Sequence, residues 1–168
     1  MVEDLYPLLP KHISAIYECT YHNLYYQLIS WVRKIKVPLF SIDYRLAPKA
    51  PFPYPLDDCW QAYKYLVENV ERLYGITPKQ ILLTGDSAGG QLVLGKSQAT
   101  YGLTTSPALT LWLIKIGYRK PDILFPVYPA INLDISQMTP SMVMSLEDPL
   151  LCVKLLLRFS EHYMPDRT

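Results

Sequence analysis

The stretch that most limits what this chain can fold into runs from Ile81 to Leu94. An apolar run, Ile81-Leu82-Leu83-Thr84, leads straight into Gly85-Asp86-Ser87-Ala88-Gly89-Gly90, and Gln91-Leu92-Val93-Leu94 then begins a helical pattern. A short apolar run bounded by turn chemistry, Pro78-Lys79-Gln80 before it and glycines after it, suits a strand buried in a parallel sheet. The residues that follow satisfy Gly-x-Ser-x-Gly, and strand, tight turn, helix is the setting in which that pattern presents a nucleophilic serine above a sheet. The glycines answer a steric need: with the serine held in a strained turn, side chains at Gly85 or Gly89 would collide with the neighbouring strand and helix. A glycine-rich helix start used only for packing or for phosphate binding is the competing reading. A phosphate loop wants Lys after its last glycine, and Gln91 stands there.

The rest of the chain repeats the alternation of strand and helix. Leu24, Leu28, Trp31, Val32 and Ile35 recur at a helical period, with Asn23 placed to cap, which predicts a helix of about a dozen residues. Val37-Pro38-Leu39-Phe40-Ser41-Ile42-Asp43-Tyr44 favours a strand. Pro48, Pro51, Pro53 and Pro55 then exclude helix until Leu56, Trp60, Tyr63, Val67 and Val70 take up one helical face, and Gly75 supplies a left-handed stop. Ile123 to Tyr128 is a further strand candidate, weakened by Pro126, which cannot donate to a ladder. These alternations predict an open α/β layer structure with a mostly parallel sheet flanked by helices, without internal repeats.

Composition excludes several function classes. The chain has 168 residues and a formal net charge of +1, so one domain fits and nothing drives it toward a phosphate backbone; nucleic acid is not an expected partner. No run reaches the ~18 apolar residues of a membrane span. The acidic start Met1-Val2-Glu3-Asp4, followed by Pro7 and Pro10, lacks the positive and apolar regions of a secretory leader and points to an intracellular, cytoplasmic chain. Cys19, Cys59 and Cys152 form no Cys-x-x-Cys pair, so neither a disulfide framework nor a metal site is expected, and no cofactor.

Asp43-Tyr44-Arg45-Leu46-Ala47-Pro48, then Pro51-Phe52-Pro53 and Asp57-Asp58-Cys59-Trp60, together with Gly85-Asp86-Ser87-Ala88-Gly89-Gly90, resemble the hormone-sensitive lipase family of α/β-hydrolases. Pro121-Asp122, Tyr128-Pro129-Ala130, Pro140-Ser141 and Ser145-Leu146-Glu147-Asp148-Pro149-Leu150-Leu151 extend the resemblance over roughly residues 22–164. It implies a partial α/β-hydrolase lacking early and last strands, behind a non-matching segment 1–21. It implies a serine esterase or lipase acting on neutral lipid or short acyl esters, with contact to a lipid droplet or membrane surface in prospect. Ser87 would be the nucleophile, the Ala88 N–H an oxyanion donor, and Gly85, Asp86, Gly89 and Gly90 the elbow.

The chain departs from the family at three places. Members carry His-Gly-Gly-Gly upstream, whose N–H groups complete the oxyanion hole; here no glycine precedes Gly75, and His12 is the nearest remnant. In the family's sheet the strand leading to that motif separates the strands matching Val37–Asp43 and Ile81–Thr84. Its loss predicts a missing centre, bridged by direct pairing or left as open edges. After Ser87 the sole histidine is His162, in an expected helix and ahead of Asp166, which reverses the serine, acid, histidine order. An exposed helix-end histidine is the simpler reading, and His12 and His22 precede the serine. The resemblance therefore implies weak or absent turnover in this chain alone. Thirdly, reading Gly95 straight into Leu109 restores one family-like helix, so 96–108 reads as an insertion.

Asp43, Arg45, Asp57 and Asp58 read as structural support around the site, with Asp58 as a first-turn carboxylate of its helix. Met138, Met142, Met144, Leu146, Leu150 and Leu151 suit either an acyl pocket or core packing. A non-catalytic module binding an acyl chain or a protein partner is the rival to the enzyme, and a fragment that never folds alone is the third possibility.

Overall fold

In the computed structural model the described residues are 13–18, 24–94, 109–130 and 140–164, with side chains described from Leu28 onward. In chain order they form β1 (Ile13–Glu18), α1 (Leu24–Ile35), β2 (Leu39–Ile42), α2 (Tyr54–Tyr74), β3 (Gln80–Asp86), α3 (Ala88–Leu94), α4 (Leu109–Lys115), β4 (Ile123–Val127), α5 (Pro140–Met144) and α6 (Val153–Tyr163). All strand pairs are parallel, in the order β2-β1-β3-β4.

That order corrects the expectation of a missing centre. Ile13–Glu18 lies between β2 and β3, with Ala15 opposite Leu39 on one side and Leu82 on the other. Among the described residues β3 therefore has a parallel neighbour on each side, β1 and β4. Glu18, the last residue of β1, is level with Gly85 at the elbow end of β3, and residues 19–23 lie outside the described residues. His12 lies outside the described residues.

Local chemistry accounts for the helix bounds. Pro55 sits in the first turn of α2, where its missing N–H costs nothing, and Gly75 ends the helix at φ 63°, its N–H returning to the Glu71 carbonyl at 2.8 Å. Leu56, Cys59 and Tyr63 of α2 meet Ile81 and Leu83 of β3, Leu92 and Val93 of α3, and Leu109 and Leu113 of α4 in one buried cluster. Helices thus cover one face of the sheet, and truncating the fully buried Leu83 to Ala would cost about 2–5 kcal/mol. Tyr63 is buried with its hydroxyl donating to the Arg119 carbonyl at 2.9 Å, and burial pushes its ionisation well upward.

On the other face, Ile123 and Phe125 of β4 are exposed, 43% and 60%. Pro126 fits this strand for a geometric reason. The Val127 carbonyl accepts from the Ser87 N–H across the β3–β4 boundary, so by strand alternation position 126 turns its nitrogen away from β3, toward the edge of the described sheet. Beyond β4, Met144, Leu146, Leu150 and Leu151 are exposed, which removes the core-packing reading for these four. Met138 lies outside the described residues.

Residues 96–108 also lie outside them, but the helices on either side abut: the Thr110 hydroxyl donates to the Val93 carbonyl at 2.8 Å. If Gly95 ran directly into Leu109, Thr110 would stand four residues after Val93, the spacing at which its own N–H would take that carbonyl.

Candidate active site

Ser87 is the single residue between the end of β3 at Asp86 and the start of α3 at Ala88. Its φ of 51° lies in the left-handed region, uncommon for a residue with a side chain, and the serine is exposed. The strand must turn into the helix within one residue, and the glycines make that possible. A Cβ on Gly85 would sit 2.5 Å from the Gly89 carbonyl carbon and 2.9 Å from the Gly90 nitrogen; one on Gly90 would sit 3.0 Å from the Gly85 oxygen and 3.1 Å from the Pro129 Cβ. The tightness expected at Gly85 is present, and Gly90 is a second tight position that sequence reasoning did not single out.

The turn after β4 holds the elbow from the side. Val127 accepts from the Ser87 N–H at 2.9 Å, and the Ala130 N–H returns to the Ser87 carbonyl at 3.3 Å, which also accepts from the Gln91 N–H at 3.1 Å. Tyr128, at φ 33° and 71% exposed, donates its hydroxyl to Asp86 Oδ2 at 3.3 Å. Sequence reasoning gave this turn no role. The available signal was its place directly after a strand that neighbours β3 and runs the same way.

Ala88 is the first residue of α3, so its N–H has no partner within the helix and directly follows the serine. His162 lies in the last turn of α6, exposed, and among the described residues no hydrogen bond joins it to Ser87. His12 and His22 lie outside the described residues. Among the described residues, the arrangement presents the Ser87 hydroxyl without a histidine hydrogen-bonded to it.

The carboxylates upstream brace the loop that leads to α2. The Arg45 guanidinium donates to both Asp58 oxygens, Nη2 to Oδ1 at 2.7 Å and Nε to Oδ2 at 2.9 Å, and the Arg45 backbone N–H adds a bond to Oδ2 at 2.9 Å. Those guanidinium bonds hold the Asp58 carboxyl below the usual carboxylate range. Arg45 also lies over the Tyr54 ring, 4.9 Å from its centroid. Asp57, not Asp58, is the first-turn acid of α2. A groove of about 530 Å³ runs along β2, lined by Phe40, Ile42, Asp43, Asp58, Tyr65 and Leu66 among others, and no elbow residue lines it.

Residues 20–168 match a family model described as alpha/beta hydrolase fold. Hormone-sensitive lipase from Mus musculus is 40% identical over 129 residues, 77% of this chain and 15% of that protein. Arylacetamide deacetylase from Mus musculus is 31% identical over 149 residues, 87% of this chain and 34% of that protein. Among solved structures, carboxyl esterase 2 from the fungus Tuber melanosporum superposes with a TM-score of 0.71 at 26% identity, covering 92% of this chain and 48% of that one. The chain thus spans about a seventh to a third of these curated relatives and about half of the solved esterase.

Proposed function

The chain belongs to the alpha/beta hydrolase fold family, and on that footing we propose that it is a serine carboxylic ester hydrolase of the hormone-sensitive lipase type. The observation that carries the reading is Ser87, held at φ 51° on a one-residue turn between a parallel strand and a helix. In that role the Ser87 Oγ attacks the ester carbonyl carbon and passes its proton to a base. The Ala88 N–H stabilises the oxygen that becomes negative, the alcohol leaves, and water then releases the acid from the acyl-serine. Gly85, Asp86, Gly89 and Gly90 shape the turn.

The same reading assigns residues 22–164 to a partial hydrolase domain with 96–108 as an insertion. Its substrates are neutral lipid or short acyl esters, met at a lipid-droplet or membrane surface. Among the described residues no helix is long and apolar enough to cross a membrane. Three widely spaced cysteines without a Cys-x-x-Cys pair suit a cytoplasmic setting. With one oxyanion donor and no base assigned among the described residues, turnover by this chain alone is weak or absent; losing one donor costs about 10²–10³ in rate.

The test is labelling of the purified chain with a fluorophosphonate, alongside hydrolysis of a p-nitrophenyl acyl ester, with Ser87→Ala as the control. Slow labelling that the control abolishes is the expected result. A cooperatively melting chain that labels no faster than Ser87→Ala would overturn the catalytic reading in favour of a binding module.

A further inference from the structure

Among the described residues, Lys36, Ser87 and Tyr128 are the non-glycine residues in the left-handed region, and two of these three meet at the elbow. The reversal at Tyr128 lets Val127 offer its carbonyl to the Ser87 N–H while Ala130, three residues on, returns its N–H to the Ser87 carbonyl. A left-handed position in a tight turn favours glycine, which would serve that backbone path at least as well. Burial does not account for a tyrosine there either, since 71% of the residue is exposed. What the side chain does is reach back over the elbow, where its hydroxyl donates to Asp86 Oδ2 at 3.3 Å. Tyr128 therefore holds both flanks of Ser87: its backbone turn supplies the partners of the serine's own amide and carbonyl, and its phenol ties down the side chain immediately before the serine.

We propose that Tyr128 is a positioning residue for Ser87, acting through Asp86 to keep the hydroxyl in its attacking geometry. The inference rests on Ser87 being the nucleophile. It assigns no proton transfer to the phenol, which touches neither the ester nor the serine hydroxyl in this role.

The experiment is the saturation kinetics of fluorophosphonate labelling, which separates the maximal rate from the half-saturating concentration, with melting followed in parallel. Tyr128→Phe is expected to lower the maximal rate about three- to tenfold, the worth of one hydrogen bond, with the half-saturating concentration and melting temperature unchanged. Asp86→Ala slows labelling to the same degree, Asp86→Asn keeps an acceptor oxygen and restores it, and Tyr128→Phe on top of Asp86→Ala changes nothing further. Wild-type rates in Tyr128→Phe, or effects that multiply in the double variant, would overturn the proposal and leave the esterase reading standing. Wild type labelling no faster than Ser87→Ala would overturn both. If Tyr128→Phe does not melt cooperatively, Asp86→Asn against Asp86→Ala carries the same test, and equal rates in those two would overturn it.

Discussion

The backbone N–H of Ser87 donates to the carbonyl of Val127 at 2.9 Å, so the strained serine hangs from the neighbouring strand and is not held by its own helix alone. Strain at φ 51° persists only because such contacts over-determine it. Ser87→Gly is expected to melt above Ser87→Ala. Relief of a left-handed side chain gives roughly 1–2 kcal/mol, and the added freedom of glycine in the unfolded chain takes back about 0.5–1 kcal/mol. Thermal melts of both variants, neither of which labels, check this; equal melting would mean that the turn carries no side-chain strain.

Gly85→Ala puts a methyl 2.5 Å from the backbone of Gly89, an approach that no side-chain rotation relieves. The helix start must move away from the strand, and the Ser87 amide leaves Val127 with it. Denaturant unfolding should register a loss at or beyond the upper end of about 1–3 kcal/mol. Gly75→Ala, where a Cβ meets nothing within 4 Å but φ is 63°, should cost less.

The bond between Asp58 and Arg45 makes part of the stability pH-dependent. The folded Asp58 carboxyl lies below its unfolded value of about 3.9, because the Arg45 guanidinium favours the ionised form. Its stabilisation is therefore present in full above about pH 3.9 and is lost as pH falls through the lower folded value. Asp58→Asn should melt below wild type at pH 7, and the gap should close in more acidic buffer. A gap independent of pH would mean that the carboxylate's charge plays no part in the brace.

Removal of residues 96–108 should join α3 and α4 into one helix, because the Thr110 hydroxyl already reaches the Val93 carbonyl, the acceptor that the Thr110 N–H would take in a continuous helix. Relief of the loop-closure cost is worth on the order of 2 kcal/mol. Circular dichroism and melting of the shortened chain would register more helix and a higher midpoint. A shortened chain that loses cooperative melting would mean that the segment is part of the fold.

How far the molecule could be read in advance differs from one segment to the next. Gly75 as the stop of α2 was legible because a left-handed end after a long apolar face has few solutions. The strands at β2, β3 and β4 were legible as short apolar or β-branched runs, within two residues or so at each end. β1 was not. Ile13-Ser14-Ala15-Ile16-Tyr17-Glu18 carries no continuous apolar run, and its place depends on two partners that arrive later in the chain. The turn at Tyr128 was missed for a related reason: its importance lies in which carbonyl it points at Ser87, and sequence spacing does not encode that across 40 intervening residues.

The sequence by itself determined the elbow, because steric exclusion at Gly85 and the strand-to-helix switch are local and act within ten residues. It determined α2 in the same way, through periodicity and a glycine stop. Only the tertiary structure decided that β1 fills the centre of the sheet, that Asp58 serves Arg45 and not its own helix terminus, and that Val127 and Tyr128 clamp the serine. Parallel pairing and ion-pair choice join residues far apart in the chain, and their energies exist only once the sheet has brought those residues together.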